Sequence, residues 1–248
     1  MNKKDYGEYR FNAKEMIRYG IEGAAIGVLL NLLFYQNLWV SVGIIPLMLL
    51  YFRQKRKQLI REQRKTLNYQ FKDALASLSI AFQAGYSAEN AVRTCRRDLE
   101  RLYGREADLV KEFLYIENQM EVSVPVENLF LDLGERSGLE DIENFAAVFA
   151  GAKRSGGDME KIILKTARML GDKIDIKKEI EATLAAKKSE QMIMSLMPFG
   201  IILYMQLTSP GFLSVLYGNL FGAGAMTVCL AVYFLAYWMG KRIVDIKV

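Results

Sequence analysis

The sequence predicts an all-α fold, that of a polytopic membrane protein with four transmembrane helices and a cytoplasmic six-helix bundle between spans two and three. Three observations carry this reading. Residues 21–52 hold a single charge, Glu22, and residues 192–240 hold none. The block between them is charged, and its apolar residues recur at helical spacing. Lys and Arg fall into three groups: five before Ile21, 25 between Arg53 and Glu190, and three after Gly240. With 52% hydrophobic residues in a 248-residue chain, membrane segments are the first thing to look for.

Residues 1–20 mix acids and bases and read as a cytoplasmic segment. They lack the short basic start of a secretory leader, and no small-residue cleavage site follows, so no cleaved signal is expected. Residues 21–52 are too many for one span, which needs about 20 residues. The polar step Gln36-Asn37 divides them into two short spans, a membrane hairpin whose ends Arg18 and Arg53 can extend by reaching to the surface. Glu22 falls at the edge of the first span, where an interfacial position is expected.

Residues 53–191 have the size of one domain. The stretch 53–65, RQKRKQLIREQRK, places Arg53, Lys55, Arg56, Lys57, Arg61, Arg64 and Lys65 directly after span two. Positive-inside anchoring accounts for them first; contact with anionic lipid is the functional reading, at about 1 kcal/mol per basic residue near the surface. Six apolar stripes follow. Leu67, Phe71, Ala74, Leu75, Leu78 and Phe82 make the first, and Ala88, Ala91, Val92, Cys95, Leu99 and Leu102 the second. Leu109, Phe113, Ile116 and Met120 make the third, and Val126, Leu129, Phe130 and Leu133 the fourth. Leu139, Ile142, Phe145, Ala146 and Phe149 make the fifth, and Met159, Ile163, Ala167, Leu170 and Ile174 the sixth. Short amphipathic helices joined by short connections can bury such stripes only against one another. EVSVPV, at 121–126, is the one candidate strand.

Two corners share a pattern of helix, glycine, small polar residue, helix. Gly85 with Ser87, and Gly156 and Gly157 with Asp158, supply a left-handed helix end followed by an N-cap oxygen. Capping explains the glycines; a shared docking surface at one end of the bundle is the sharper reading. Pro125 suits the first turn of helix four. The pairs around Glu140, Asp141 and Glu143 read as a solvated helix start. Neither Gly nor Pro occurs between Gly171 and Pro198, and the 26 intervening residues could form one rod of roughly 39 Å.

Residues 192–240 divide at Ser209-Pro210-Gly211 into two C-terminal spans, and residues 241–248 form a basic tail. The breaks at 36–37 and 209–220 carry no Lys or Arg. Four spans therefore put every basic group on the cytoplasmic side, with both termini inside. Pro46 and Pro198 are candidate kinks.

Catalytic grammar is lacking. The chain has no histidine, which excludes Ser-His and Cys-His dyads and the commonest metal ligand. Two lone cysteines make neither a disulfide framework nor a metal site. No phosphate-binding G-x-x-x-x-G-K-[ST] loop occurs, and SGGD at 155–158 lacks the lysine. We expect no enzyme activity, no cofactor and no metal. A transporter or permease subunit is the alternative, and a membrane-bound enzyme a further one. Spans without a deep charge weigh against the first, and the missing histidine against the second. The partners expected are the lipid bilayer and other proteins, with no nucleic acid.

The layout resembles the type II secretion system F family, and most closely its short, single-repeat TadB-like branch of tight-adherence pilus proteins. The residues that carry the likeness are Ala74-Leu75, Leu78-Ser79, Phe82, Ala84-Gly85, Ser87 and Ala91, then Gly156-Gly157-Asp158-Met159 leading to Ile162-Ile163 and Ala167. Pro198, Ser209-Pro210 and the ending from Arg242 to Val248 follow the same pattern. Longer members carry two copies of the helical unit and this chain carries one. The resemblance implies a multi-pass platform in the bacterial inner membrane, with both termini cytoplasmic. It implies coupling of a cytoplasmic secretion or pilus ATPase to the movement of pilin subunits, alongside a TadC-like companion or a second copy of the chain.

Overall fold

The computed structural model describes residue 6 and residues 13–34, 44–155, 159–209, 211 and 220–244. Among these there are helices and no strand: α1 Ala13–Phe34, α2 Ile44–Gln83, α3 Ala88–Tyr103, α4 Asp108–Glu121, α5 Val126–Ser137, α6 Glu140–Ser155, α7 Met159–Thr208 and α8 Leu220–Val244. The candidate strand at 121–126 is the last turn of α4, a tight turn and the start of α5. The chain divides into two compact units, one of residues 1–10 and 56–177, the other of 11–55 and 178–248.

The first unit is the bundle. Its core is the set of stripes read from the sequence, with Phe130 at the centre. The Phe130 ring lies 5.0 Å from that of Phe149, 5.5 Å from Phe145 and 6.2 Å from Phe113. α5 and α6 approach closely because Gly134 has no side chain; a Cβ there would stand 3.0 Å from the Glu143 Cα. Among the stripe residues whose burial is described, Leu102 is the exposed one, at 66%. It lies one turn beyond Leu99, where α3 is about to end at Gly104 and no helix remains to cover it.

Local chemistry explains the ends. α4 starts at Ala107 without a side-chain cap, and Gln70 of α2 takes over: its Oε1 accepts from the Leu109 N–H at 3.3 Å. Pro125 is the N-cap residue of α5 rather than its first-turn residue, and its carbonyl accepts from the Asn128 N–H at 3.1 Å.

Asp141 overturns the expectation of a solvated helix start. Glu140 and Glu143 are exposed, but Asp141 is 2% exposed. Lys173 of α7 lies 2.7 Å from one of its oxygens, while Asn68 at 3.0 Å and Lys177 at 3.5 Å serve the other. Burial works against its charge, yet the bonds from Lys173 and Asn68 and the Lys177 charge hold the carboxyl below the usual aspartate range.

In the second unit, α1 begins at Ala13, eight residues before the apolar run. Glu22 accepts from Arg18 at 3.3 Å and from the Tyr51 hydroxyl at 3.4 Å, and Lys55 stands over the Tyr19 ring at 5.1 Å. The first turns of α1 thus lie beside residues 51–55 of α2, as in a hairpin; the turn expected at Gln36-Asn37 lies outside the described residues. α7 runs without a break into the apolar residues 192–208. The Tyr233 hydroxyl of α8 donates to the Ser195 carbonyl at 3.0 Å, and the Phe199 and Tyr233 rings meet edge to face at 5.0 Å. Among the described residues, two helices, Lys161–Thr208 and Gly224–Ile243, are long and apolar enough to cross a membrane. In the apolar stretch that opens at residue 192, large side chains are exposed, Met192, Met194 and Met197 at 72%, 66% and 64%.

Candidate docking end of the bundle

The corner at Gly85 is a complete Schellman motif. Gly85 takes a φ of +76°, its N–H donates to the Phe82 carbonyl at 2.9 Å, and the Tyr86 N–H reaches the Ala81 carbonyl at 3.1 Å. Ser87 then caps α3, its hydroxyl oxygen accepting from the Asn90 N–H at 3.4 Å. Both residues do what the sequence asked of them locally. Gly156, Gly157 and Asp158 lie outside the described residues.

A second corner has the same bond pattern without a glycine. Ser123 takes a φ of +64°, its N–H donates to the Met120 carbonyl at 3.0 Å, and the Val124 N–H donates to the Gln119 carbonyl at 3.1 Å. No glycine marks this turn, so the helix–Gly–helix pattern does not reveal it in the sequence.

Lys153 brings the corners together. It sits in the last turn of α6, three residues before Gly156. Its ammonium lies 2.8 Å from Glu127 in the first turn of α5 and 3.7 Å from Glu89 in the first turn of α3. The Gly85 corner, the Ser123 turn and the end of α6 therefore share one end of the bundle. Acids at two helix starts and a base at a helix end also suit the helix dipoles. Burial disfavours the Glu127 charge, but the Lys153 bond keeps its carboxyl below the usual range. Pairs of single charges do not announce themselves in a sequence, and Lys153 could be found only once three helices were placed.

The same end carries large exposed apolar groups. Ile80 is 68% exposed, Tyr86 49% and Val122 68%. Each stands within one turn of a corner, and together they leave apolar surface on a bundle whose other apolar stripes are mostly buried.

The remaining predicted site residues are elsewhere. Pro46 is the third residue of α2, inside the first turn, where its missing N–H costs no helical bond. Pro198 lies inside α7. Arg53, Arg56, Lys57, Arg61 and Lys65 are exposed along α2, with 53, 57, 61 and 65 in one row four residues apart. Arg64 departs from the group. It turns into the bundle, and Gly138, with a φ of +60°, leaves room for it: a Cβ there would stand 2.7 Å from a guanidinium nitrogen.

For chemistry, the described residues hold no group of three or more acidic or cysteine side chains that could bind a metal. Burial pushes the Cys95 thiol well up, so it is not a thiolate at neutral pH.

Comparison with known families yields a match. The model described as type II secretion system (T2SS), protein F, covers residues 74–207, more than half of the chain and all three corners. No curated protein matches, and no solved structure does.

Proposed function

The chain belongs to the type II secretion system protein F family, whose members are inner-membrane platform components of secretion and pilus machines, and from that premise we propose that it is the platform of a pilus or type II-like secretion machine, of the single-repeat TadB-like kind. It acts as a binding and mechanical protein, not as an enzyme. A cytoplasmic motor ATPase docks on the bundle end that carries Ile80, Tyr86 and Val122. Its movement reaches the membrane through α7, and pilin subunits leave the bilayer there. The chain crosses the membrane four times, with both termini in the cytoplasm. A companion paralogue or a second copy supplies the second helical unit that longer members carry in one chain.

The observation that carries this reading is the Lys153 contact with Glu89 and Glu127. It gathers the corners inside the matched region at one end, and that end keeps its large apolar groups in solvent. The test is photo-crosslinking in the native membrane from single positions 86, 122 and 102, followed by mild-detergent purification. A secretion-type ATPase crosslinked from 86 and 122 but not from 102, at the opposite end of α3, is the expected result. Intact complexes with no ATPase, or crosslinks equally strong from 102, would overturn it.

A further inference from the structure

Within the bundle, α2 and α7 flank a groove of about 540 Å³. Its lining runs forward from Lys72 to Gln83 on α2 and backward from Asp175 to Lys161 on α7, so the two helices are antiparallel and the groove ends beside the Gly85 corner. Its length is roughly three turns of helix, or 17 Å. Leu75 and Ala167, 1% and 5% exposed, make the floor, and Ala76 leaves it open because it carries only a methyl group. Met169, 61% exposed, adds a large apolar side chain to the lining. At the end away from the corner, Lys72 and Asp175 pair at 2.6 Å and join the two walls.

Charge along the groove is uneven. Lys161, Lys165 and Arg168 follow one another at helical spacing on the α7 wall, and all three are exposed. Lys165 and Arg168 meet no acid among the described residues. The acids of the lining, Asp172 and Asp175, lie toward the other end, where Lys72 offsets Asp175. An occupant therefore meets an apolar floor with a cationic wall along one side. The floor also offers little to a bare backbone, since the Ser79 hydroxyl already donates to the Leu75 carbonyl at 2.7 Å. An extended segment would bury N–H and C=O groups without partners there, whereas a helix satisfies its own. Acids on one flank of that helix would answer the cationic wall, and bases in their place would be repelled by it.

We propose that the groove between α2 and α7 is a docking site for an amphipathic helix of a partner protein, its apolar face on Leu75, Ala76 and Ala167 and an acidic flank against Lys161, Lys165 and Arg168. The site runs along the side of the bundle, away from the corners, and is independent of the motor contact proposed above. The Lys72–Asp175 pair bounds it, so the partner helix enters from the Gly85 end.

The test uses the full chain in nanodiscs of zwitterionic lipid, with empty nanodiscs as the blank. The probes are two fluorescein-labelled helical peptides of about 14 residues. They share one leucine face; one carries Glu along a single flank, and the other carries Lys at the same places. Fluorescence anisotropy reads binding. The acidic peptide binds saturably, and the basic one binds more weakly on the order of tenfold. Arg168→Glu weakens the acidic peptide by about as much, while Arg97→Glu, the same change of charge at an exposed position on α3, leaves it unchanged. Ala76→Trp, which fills the groove from an exposed position, abolishes binding without lowering the melt. No saturable binding of the acidic peptide, equal binding of the two peptides, or equal effects of Arg168→Glu and Arg97→Glu would overturn the proposal. Crosslinks between two copies from a photoreactive residue at position 76, with the peptide excluded, would give the groove to a second copy of the chain and overturn it as well.

Discussion

Lys153 and Glu127 meet at 2.8 Å, and the same ammonium reaches Glu89 at 3.7 Å. One cation thereby joins the end of α6 to the starts of α3 and α5. The pair is partly exposed, with one third of the Lys153 side chain in solvent, so solvent screens much of its attraction. Lys153→Ala should cost the bundle only about 1 kcal/mol. Recovery of the motor ATPase should fall more than that loss of stability explains, because the corners lose their shared anchor. Denaturant melts beside quantitative co-purification separate the two effects, and a binding loss no greater than that in an equally destabilised core variant would refute the docking role.

Gly85 and Ser123 make the same Schellman bonds with different residues, and the backbone cost falls only on the serine. A left-handed non-glycine residue costs roughly 1 kcal/mol or a little more. Ser123→Gly should raise stability by about 0.5–1 kcal/mol, and Gly85→Ala should lower it by about 1–2 kcal/mol. Urea unfolding followed by circular dichroism measures both, and a destabilising Ser123→Gly would show that the Ser123 side chain has a structural contact of its own.

Asp141 sets an acid limit on the bundle. Its folded carboxyl is held below the ordinary value, so the unfolded chain binds the proton first as pH falls. The stabilisation is complete above the unfolded aspartate range, near 4, and is lost as pH drops through the lower folded value. Asp141→Asn should cost roughly 3 kcal/mol at neutral pH, the low end for breaking a buried pair, since both lysines keep some water. The variant's melting temperature should also fall less steeply than the native chain's between pH 5 and pH 2, on the order of the interval set by these values. Parallel slopes would remove Asp141 from the acid response.

Arg64 and Lys57 should part company. Lys57 is exposed on α2, and Lys57→Gln should weaken flotation with vesicles rich in anionic lipid, by about 1 kcal/mol at low salt, while leaving the melt unchanged. Arg64→Gln should leave vesicle binding nearly unchanged and lower the melt, because Arg64 reaches the Tyr6 carbonyl and fills the space at Gly138. The reverse pattern would return Arg64 to the lipid-facing group.

Much of this protein is legible from residue order alone. The six stripes became six helices, and Gly85 and Ser87 became the C′ residue and the N-cap, because apolar spacing and cap chemistry act over three or four residues. The family resemblance rested on those same local patterns, and the match over 74–207 covers them. Asp141, Arg64, Lys153 and Tyr6 were misread or missed for a common reason. Each is a polar residue in a polar stretch, and its partner lies far away in the chain, as with Glu112, 106 residues from Tyr6. Whether a charge is solvated or clamped depends on what packs over it, and the Ser123 turn likewise follows from where α4 must stop rather than from a residue that prefers to turn. Local order determined which segments are helical and which face of each is apolar; only tertiary packing decided which charges are buried, which corners share an end, and where Tyr6 is held.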